Sequence, residues 1–205
     1  MSTTTPPSLS PEKPILFGPF EVTSQVFLLT PFSFSLVNLK PLLPGHVLVC
    51  PLSPHKRLTD LSPPELLDLW QTVQKVQLML ARHYFPAPHS PEQGSFNIAV
   101  QDGSEAGQTV PHVHVHVIPR IRGVTEKDNA GAGDELYERM AGEDGNVGGA
   151  LWDRVRERDV RRDGEGKRPV PSGRFDRIED RERQARGLGD MQAEAAVYRG
   201  ILEEM

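Results

Sequence analysis

Three histidines alternate with three valines over residues 112–117, and this stretch is the one best suited to chemistry. In a β-strand, successive side chains point to opposite faces of the sheet. The pattern therefore predicts that His112, His114 and His116 share one face while the valines pack into a core. Imidazole changes charge near neutral pH. Because a glycine and two hydrogen-bonding side chains precede the row, the segment indicates a site that handles a negatively charged group.

A structural role and a metal site are two of the three roles that would explain the row. Three imidazoles can simply fill one face of a sheet, although three in register on one strand are hard to obtain by chance. A His-x-His pair can also bind zinc or a non-haem metal if a third ligand is available. Three same-side positions span about 13 Å, so all three imidazoles cannot reach one ion through bonds of about 2 Å. The candidate third ligands are His46, His55, Asp102 and Glu105.

The third role is nucleophilic catalysis at phosphorus, which the local sequence favours. A neutral imidazole can attack a phosphate ester or anhydride and form a covalent phosphoramidate. It needs one nitrogen held as N–H, so that the other presents its lone pair, and nearby donors that stabilise charge on the phosphate oxygens. His114 meets this description because it lies between two histidines and follows Gln108 and Thr109.

Five apolar segments and one amphipathic stretch are predicted to position the row. Residues 25–29, 32–38, 46–51 and 96–101 have the apolar patterns of strands, and the histidine segment is the fifth. Ser62, Pro63 and Glu65 have the N-cap, N1 and N3 preferences of a helix start, and helical spacing of apolar residues continues to about Tyr84. The order β-β-β-α-β-β predicts an α+β domain with an antiparallel sheet.

Composition and charge narrow the class of protein. The 205 residues suit one domain, and a net charge of -5 argues against a nucleic-acid partner, which usually requires a basic chain. The one cysteine excludes an internal disulfide and a four-cysteine zinc site. We find no pattern of a signal peptide and no apolar run of about 20 residues that would span a membrane. We therefore expect a protein of the cytoplasm or of the nucleus, with the cytoplasm as the first expectation, because the sequence does not distinguish the two.

Four parts follow one another along the chain. Residues 1–13 are rich in Ser, Thr and Pro and are predicted to be disordered. Residues 14–122 carry the strand and helix patterns of the domain. Residues 123–188 are dense in glycine, arginine and acidic residues, which predicts a flexible insertion, and residues 189–205 regain helix formers that predict a C-terminal helix.

The segment from His112 to Ile118 resembles the His-φ-His-φ-His-φ-φ signature of the histidine-triad (HIT) superfamily of nucleotide hydrolases and transferases. Residues 37–41, 44–49, 101–110 and 118–120 are similar to the Fhit branch, the bis(5′-adenosyl)-triphosphatases. The resemblance implies a HIT-like fold: a five-stranded antiparallel sheet, one long helix and a C-terminal helix. It also implies a homodimer in which the two sheets merge into one continuous sheet.

The same resemblance implies a role for each matched catalytic residue. His114 corresponds to the nucleophile, which becomes adenylylated on its outer nitrogen. His112 corresponds to the residue whose backbone carbonyl orients that imidazole, and His116 to the histidine that hydrogen-bonds the phosphate. Gln101 corresponds to the glutamine beside the leaving group.

Substrate-binding positions follow from the same matches. Asn38 corresponds to the asparagine on the ribose side, and His46 to a structural histidine that pins a turn. We expect the base in an apolar cleft, with Phe17, Leu36 and Val37 as candidates. The loop that contacts phosphate corresponds to Gly107, Gln108, Thr109 and Val110.

The activity implied is hydrolysis of a dinucleoside polyphosphate in two steps. With diadenosine triphosphate, His114 would expel ADP and form a nucleotidyl-histidine, from which water releases AMP. We expect Mg²⁺ or Mn²⁺ to accompany the polyphosphate, with no protein-held metal. The alternatives are a nucleoside phosphoramidase or nucleotidyl transferase of the same superfamily, and a nucleotide-sensing signalling protein with slow turnover.

Overall fold

The computed structural model describes residues 13–125 and 186–205. The predicted N-terminal disorder, apart from Lys13, and residues 126–185 of the predicted insertion lie outside these ranges. No helix in the described ranges is long and apolar enough to cross a bilayer.

Five strands form one antiparallel sheet, which confirms the predicted α+β fold. A two-stranded hairpin precedes them, formed by β1 (Leu16–Phe17) and β2 (Phe20–Glu21). The sheet has the order β3-β4-β5-β7-β6. Its strands are β3 (Val26–Leu29), β4 (Ser33–Val37), β5 (Val47–Pro51), β6 (Gly94–Val100) and β7 (Val115–Ile121).

The long helix α1 (Pro63–Tyr84) begins as its sequence predicts. Glu65 accepts hydrogen bonds from the Ser62 N–H at 2.9 Å and from the Ser62 hydroxyl at 2.6 Å, which satisfies groups at the helix start. The bond from the Ser62 hydroxyl, then one from His55 and then that from the Ser62 N–H lower the pKa of Glu65 to about 2. The inner face of α1 is buried at Leu69, Val73, Val76, Met79 and Leu80, whereas Leu66 and Trp70, which share the predicted apolar spacing, are exposed.

The C-terminal helix α2 (Leu188–Glu203) begins one residue before the predicted start. Its buried face carries Met191, Ala195 and Tyr198, each of which is fully shielded from solvent. These side chains join the same core as β3, β4, β5 and α1. The helix therefore closes the core on the side of the first two sheet strands, beside α1.

Candidate active site

The histidine row is only partly a strand, and this corrects the prediction from alternation. Strand β7 begins at Val115, so His116 lies in the sheet while His112 and His114 precede it. The backbone there has partners outside the ladder, because the Val113 N–H donates to the His55 carbonyl at 2.8 Å. The alternation predicted that only the valines are buried in a core. In the structure the three imidazoles are buried as well.

The imidazole of His114 is set as a neutral group with an available lone pair. Its Nδ1–H donates to the backbone carbonyl of His112 at 2.8 Å, which leaves the lone pair on Nε2. The ring of Phe17 packs against it edge to face, with 5.1 Å between ring centroids. Burial lowers the pKa of His114 to about 4. At neutral pH this nitrogen can attack an electrophile without first losing a proton.

His112 is fixed by two backbone groups from other parts of the chain. Its Nδ1 accepts from the Gly18 N–H at 3.1 Å, and its Nε2–H donates to the Pro51 carbonyl at 2.8 Å. Burial lowers the pKa of His112. Because both nitrogens are occupied, this side chain anchors the segment whose carbonyl orients His114.

His116 is set as a hydrogen-bond donor by a second histidine. The Leu42 N–H donates to Nδ1 of His46 at 3.1 Å, so the proton of that ring is on Nε2. Nε2 of His46 lies 2.9 Å from Nδ1 of His116, which must therefore accept, and His116 carries its own proton on Nε2. That nitrogen is buried and has no hydrogen-bond partner among the described residues. Burial places the pKa of His116 well below its usual value.

The rings of His114 and His116 lie close together. The ring centroids of His114 and His116 are 4.9 Å apart. A tetrahedral or trigonal-bipyramidal group bonded to Nε2 of His114 would place an oxygen within reach of the N–H of His116. The pair can thus combine nucleophilic attack with stabilisation of charge on an oxygen.

The loop before the row is closed by the side chain of Gln108. Its Oε1 accepts from the Gly103 N–H at 3.1 Å, and its Nε2 donates to the Lys56 carbonyl at 3.0 Å. Gly107 has φ +91°, and a Cβ there would come within 2.7 Å of the Gln101 amide nitrogen. The side chain of Gln101 therefore lies against the backbone of the loop at Gly107. Thr109 and Val110, which end this loop, are buried. The expected contacts of Gly107, Gln108, Thr109 and Val110 with phosphate stay a prediction.

Asn38 lies beside His46 rather than at an open surface. It is fully buried, and its Oδ1 accepts from the Lys40 N–H at 3.0 Å. Its amide nitrogen is 3.3 and 3.2 Å from the two ring nitrogens of His46. Its role on the ribose side stays a prediction, as does the base cleft, since Phe17 is packed on the imidazoles.

The link between His46 and His116 is the feature that the sequence did not reveal. The sequence marked His46 as pinning a turn, and it accepts from Leu42 within that turn. Its second contact depends on the pairing of β5 with β7, in which Leu48 lies opposite His116. One sequence signal for this contact was available. The apolar run that follows His46 is typical of a central strand, and such a strand can pair with the strand that carries His116.

No metal centre is evident in the described ranges. No group of three or more His, Cys, Asp or Glu side chains is arranged there to hold an ion. Within the row, one nitrogen of His114 and both nitrogens of His112 are already engaged by protein groups.

The class of protein is defined by a five-stranded antiparallel sheet packed against two helices, with three buried, neutral histidines in and just before strand β7. The model of the HIT domain family matches residues 19–123, just over half of the 205-residue chain. The chain therefore belongs to the HIT family.

Individual relatives give more particular similarities. A Schizosaccharomyces pombe protein named bis(5′-nucleosyl)-tetraphosphatase (asymmetrical) is 41% identical over 192 residues, which cover 94% of this chain and 96% of its own. A Saccharomyces cerevisiae protein named bis(5′-adenosyl)-triphosphatase is 36% identical over 205 residues, covering 94% and 93% of the two chains. The crystal structure of Plasmodium falciparum diadenosine triphosphate hydrolase in complex with cyclomarin A has a TM-score of 0.57 and 25% identity, covering 94% of this chain and 86% of that one. The predicted similarity to the triphosphatase branch is thereby confirmed.

Proposed function

We propose that this protein hydrolyses dinucleoside polyphosphates, with diadenosine triphosphate as a substrate. The names of the S. pombe, S. cerevisiae and P. falciparum relatives support the substrate class. The observation that carries the proposal is the pairing of a lone pair on His114 with an N–H on His116 that has no partner in residues 13–125 and 186–205. A phosphoric anhydride needs both a nucleophile and a donor to its oxygens.

The reaction proceeds in two balanced steps. Nε2 of His114 attacks the α-phosphorus, a P–N bond forms, and the P–O bond to the β-phosphate breaks to release ADP. Water then attacks the same phosphorus, a P–O bond forms, the P–N bond breaks, and AMP leaves while the imidazole returns to its neutral form and the proton lost by water passes to solvent. The carbonyl of His112 stabilises the positive charge that His114 carries in between, and the N–H of His116 stabilises the phosphate oxygens.

Heavy-oxygen water tests which bond is cut. With diadenosine triphosphate we expect the label in AMP and none in ADP, because water attacks the adenylate held on His114. With diadenosine tetraphosphate the same chemistry gives labelled AMP and unlabelled ATP. Label in the larger product would show attack at the β-phosphorus and contradict the mechanism.

Trapping tests the covalent step. Acid-labile phosphoramidates survive alkaline quenching, so a rapid alkaline quench during turnover should show one adenylate per chain by intact mass. Fragmentation should locate it on His114. Adenylate on another residue, or complete turnover with no trapped species at any quench time, would contradict the proposal.

The phosphoramidase and the nucleotidyl transferase use the same histidine, and they differ only in the leaving group or the acceptor. Turnover of diadenosine triphosphate is therefore compared with that of an AMP-amine conjugate at equal concentrations. Faster release of the amine would favour the phosphoramidase. Tight binding of diadenosine triphosphate with almost no turnover would favour the nucleotide-sensing protein.

We also propose that Mg²⁺ or Mn²⁺ enters with the polyphosphate. Magnesium is commonly held through substrate phosphates and one or two carboxylates, rather than in a cage of protein ligands. Chelation should then lower the rate, and calorimetry should show metal binding to the substrate but not to the protein alone. Equal rates with and without chelator would contradict this proposal.

The homodimer is likewise a proposal. Strand β6 lies at one end of the sheet, where β7 is its one partner among the described strands, and α1 exposes the apolar side chains of Leu67 and Trp70. Two copies could cover these surfaces and extend the sheet. Light scattering of the purified chain should give twice the mass of 22.8 kDa, and a monomer at micromolar concentration would contradict it.

A further inference from the structure

The turn of residues 38–46, which we name the His46 turn, is held at its first end by an arginine from the far end of the chain. Nη2 of Arg186 donates to the carbonyl of Asn38 at 2.5 Å. The backbone N–H of Arg186 donates to the carbonyl of Leu39 at 3.2 Å. The residue lies just before α2, 148 positions from Asn38. The start of the C-terminal helix is thus fastened to the turn that carries His46.

The other end of the His46 turn is held by the ring of Tyr84. Gly45 has φ +78°, and a Cβ built on it would lie 2.6 Å from Cε2 of Tyr84 and 2.8 Å from Cγ of Pro119. The ring therefore lies directly on the backbone of the residue before His46. Since nothing larger than glycine fits there, the contact fixes the height of the turn above β7.

The two fastenings are joined to each other by a continuous chain of polar contacts. The Tyr84 hydroxyl lies 2.8 Å from the Tyr198 hydroxyl, which donates to Oε1 of Glu194 at 2.8 Å. Oε2 of Glu194 lies 2.7 Å from Nη2 of Arg186. Because Tyr198 gives its one proton to Glu194, Tyr84 must be the donor between the phenols. Both ends of the turn consequently depend on the placement of α2.

We propose that Arg186 and Tyr84 are positioning residues, which hold the His46 turn so that His46 donates to His116 and keeps the free N–H of His116 in place. His46 receives the Leu42 N–H from within the same turn, so a shift of the turn shifts the ring. A ring displaced by about 1 Å would break the 2.9 Å contact with His116. The effect on rate rests on the proposed function, whereas the effect on the protonation of His116 does not.

The test compares two arginines that make the same kind of bond. Arg186→Met removes the bond to the Asn38 carbonyl. Arg199→Met is the matched control. Arg199 lies in α2 and also donates to a backbone carbonyl, that of Val26 in β3, at 2.7 Å. Both full-length variants are assayed at a temperature at which each is folded.

We expect Arg186→Met to lower kcat on the order of 10- to 100-fold with KM changed about twofold or less, because misplacement of a catalytic group affects chemistry more than binding. Arg199→Met should change kcat about twofold or less. Nitrogen NMR of labelled imidazoles should show His116 protonated on Nε2 in the wild type and in Arg199→Met. In Arg186→Met it should show a mixture of the two neutral forms.

An equal kcat and an equal imidazole spectrum in the two variants would overturn the proposal. If Arg186→Met does not fold, Tyr84→Leu gives the second test, since it removes the ring that lies on Gly45 and leaves the bond of Arg186 to the Asn38 carbonyl in place. A wild-type spectrum in Tyr84→Leu would then overturn it. If the wild-type protein fails to hydrolyse dinucleoside polyphosphates, the proposed function fails, but the NMR comparison still decides whether Arg186 positions His116.

Discussion

The histidine row divides into a His114 end, formed by His112 and His114, and a His116 end, formed by His116 alone; both ends are neutral for the same reason and are held in different ways. Burial lowers the pKa of His114 and of His116 alike. The His114 end is fixed by backbone groups, namely its contact with the carbonyl of His112 and the bonds of His112 to Gly18 and Pro51. The His116 end is fixed by another side chain, that of His46.

This difference tells which parts of the site depend on residue type. A backbone N–H or carbonyl is supplied by any residue that keeps the local fold, so the His114 end depends on chain geometry. The His116 end depends on one ring that accepts a hydrogen bond at one nitrogen and donates at the other. Only a neutral histidine at position 46 can accept from Leu42 with Nδ1 and donate to His116 with Nε2. We therefore expect substitutions to affect the two ends through different measurable quantities.

The largest effect is expected at the His114 end. His114→Asn removes the imidazole that we propose as the nucleophile, while it keeps a polar side chain of smaller size. Hydrolysis of diadenosine triphosphate should fall on the order of 10⁴-fold or more, because loss of a nucleophile removes the covalent route. Binding of the substrate, measured by calorimetry, should persist. Residual activity within tenfold of the wild type would contradict the assignment of His114.

The second effect separates the two functions of His46. An asparagine amide can occupy the place of Nδ1 and accept from Leu42, whereas a glutamine amide can reach the place of Nε2 and donate to His116. His46→Asn should therefore lower kcat about 10- to 100-fold while stability is kept. His46→Gln should retain more activity and lose more stability. The reverse order in kcat would show that the turn, not the donation to His116, is what matters.

The third effect concerns the hairpin that holds His112. Gly18 has φ +56°, and a Cβ there would lie 2.5 Å from Cγ1 of Val110. Gly18→Ala should cost about 2–4 kcal/mol in urea unfolding, from backbone strain together with overpacking, and should lower kcat several-fold. Gly123→Ala is the control, because Gly123 has φ +71° and, apart from its chain neighbours, no atom of the described residues lies within 4 Å of a Cβ built there, so only about 1 kcal/mol of strain is expected. Equal losses in the two variants would contradict a packing contribution at Gly18.

The smallest effect on rate is expected from pH. Since the pKa of His114 is about 4, kcat should change about twofold or less between pH 8 and pH 5.5. As pH is lowered, stability should change at a higher pH than kcat does, because the histidines of the unfolded chain titrate near 6.5 and below that pH bind more protons than the folded ones. The free energy of unfolding should fall as pH drops from about 6.5 towards 4, and His114→Asn should make the fall shallower. A kcat halved near pH 6.5 would contradict a buried neutral nucleophile.

Local patterns predicted most of the scaffold. Helix α1 was predictable because Ser62 and Glu65 mark its start and apolar spacing continues to its end. The five sheet strands were predictable from apolar runs between turn residues, with boundaries that differ by one or two residues apart from β7. Alternation failed for His112 and His114, because alternation specifies extended backbone but not whether a neighbouring strand pairs with it.

The protonation of the site depends on contacts between distant parts of the chain. Gly18 and His112 are 94 positions apart, and His46 and His116 are 70 apart. No local pattern specifies which nitrogen of a ring meets a donor, because that depends on strand register and on the path of each turn. Resemblance to a family supplied the roles of the histidines, and the structure supplies the hydrogen bonds that set their protons.

Burial of the three imidazoles has a consequence for the choice of ligand. Because the row is uncharged at neutral pH, a phosphate entering it meets oriented dipoles rather than counter-ions. Net negative charge alone therefore gives a ligand little advantage there, and inorganic phosphate or pyrophosphate should compete poorly with nucleotides even at low ionic strength. If the protein has the proposed function, discrimination must then come from the nucleoside, and we expect the residues around the base and the ribose to decide which substrate is cleaved.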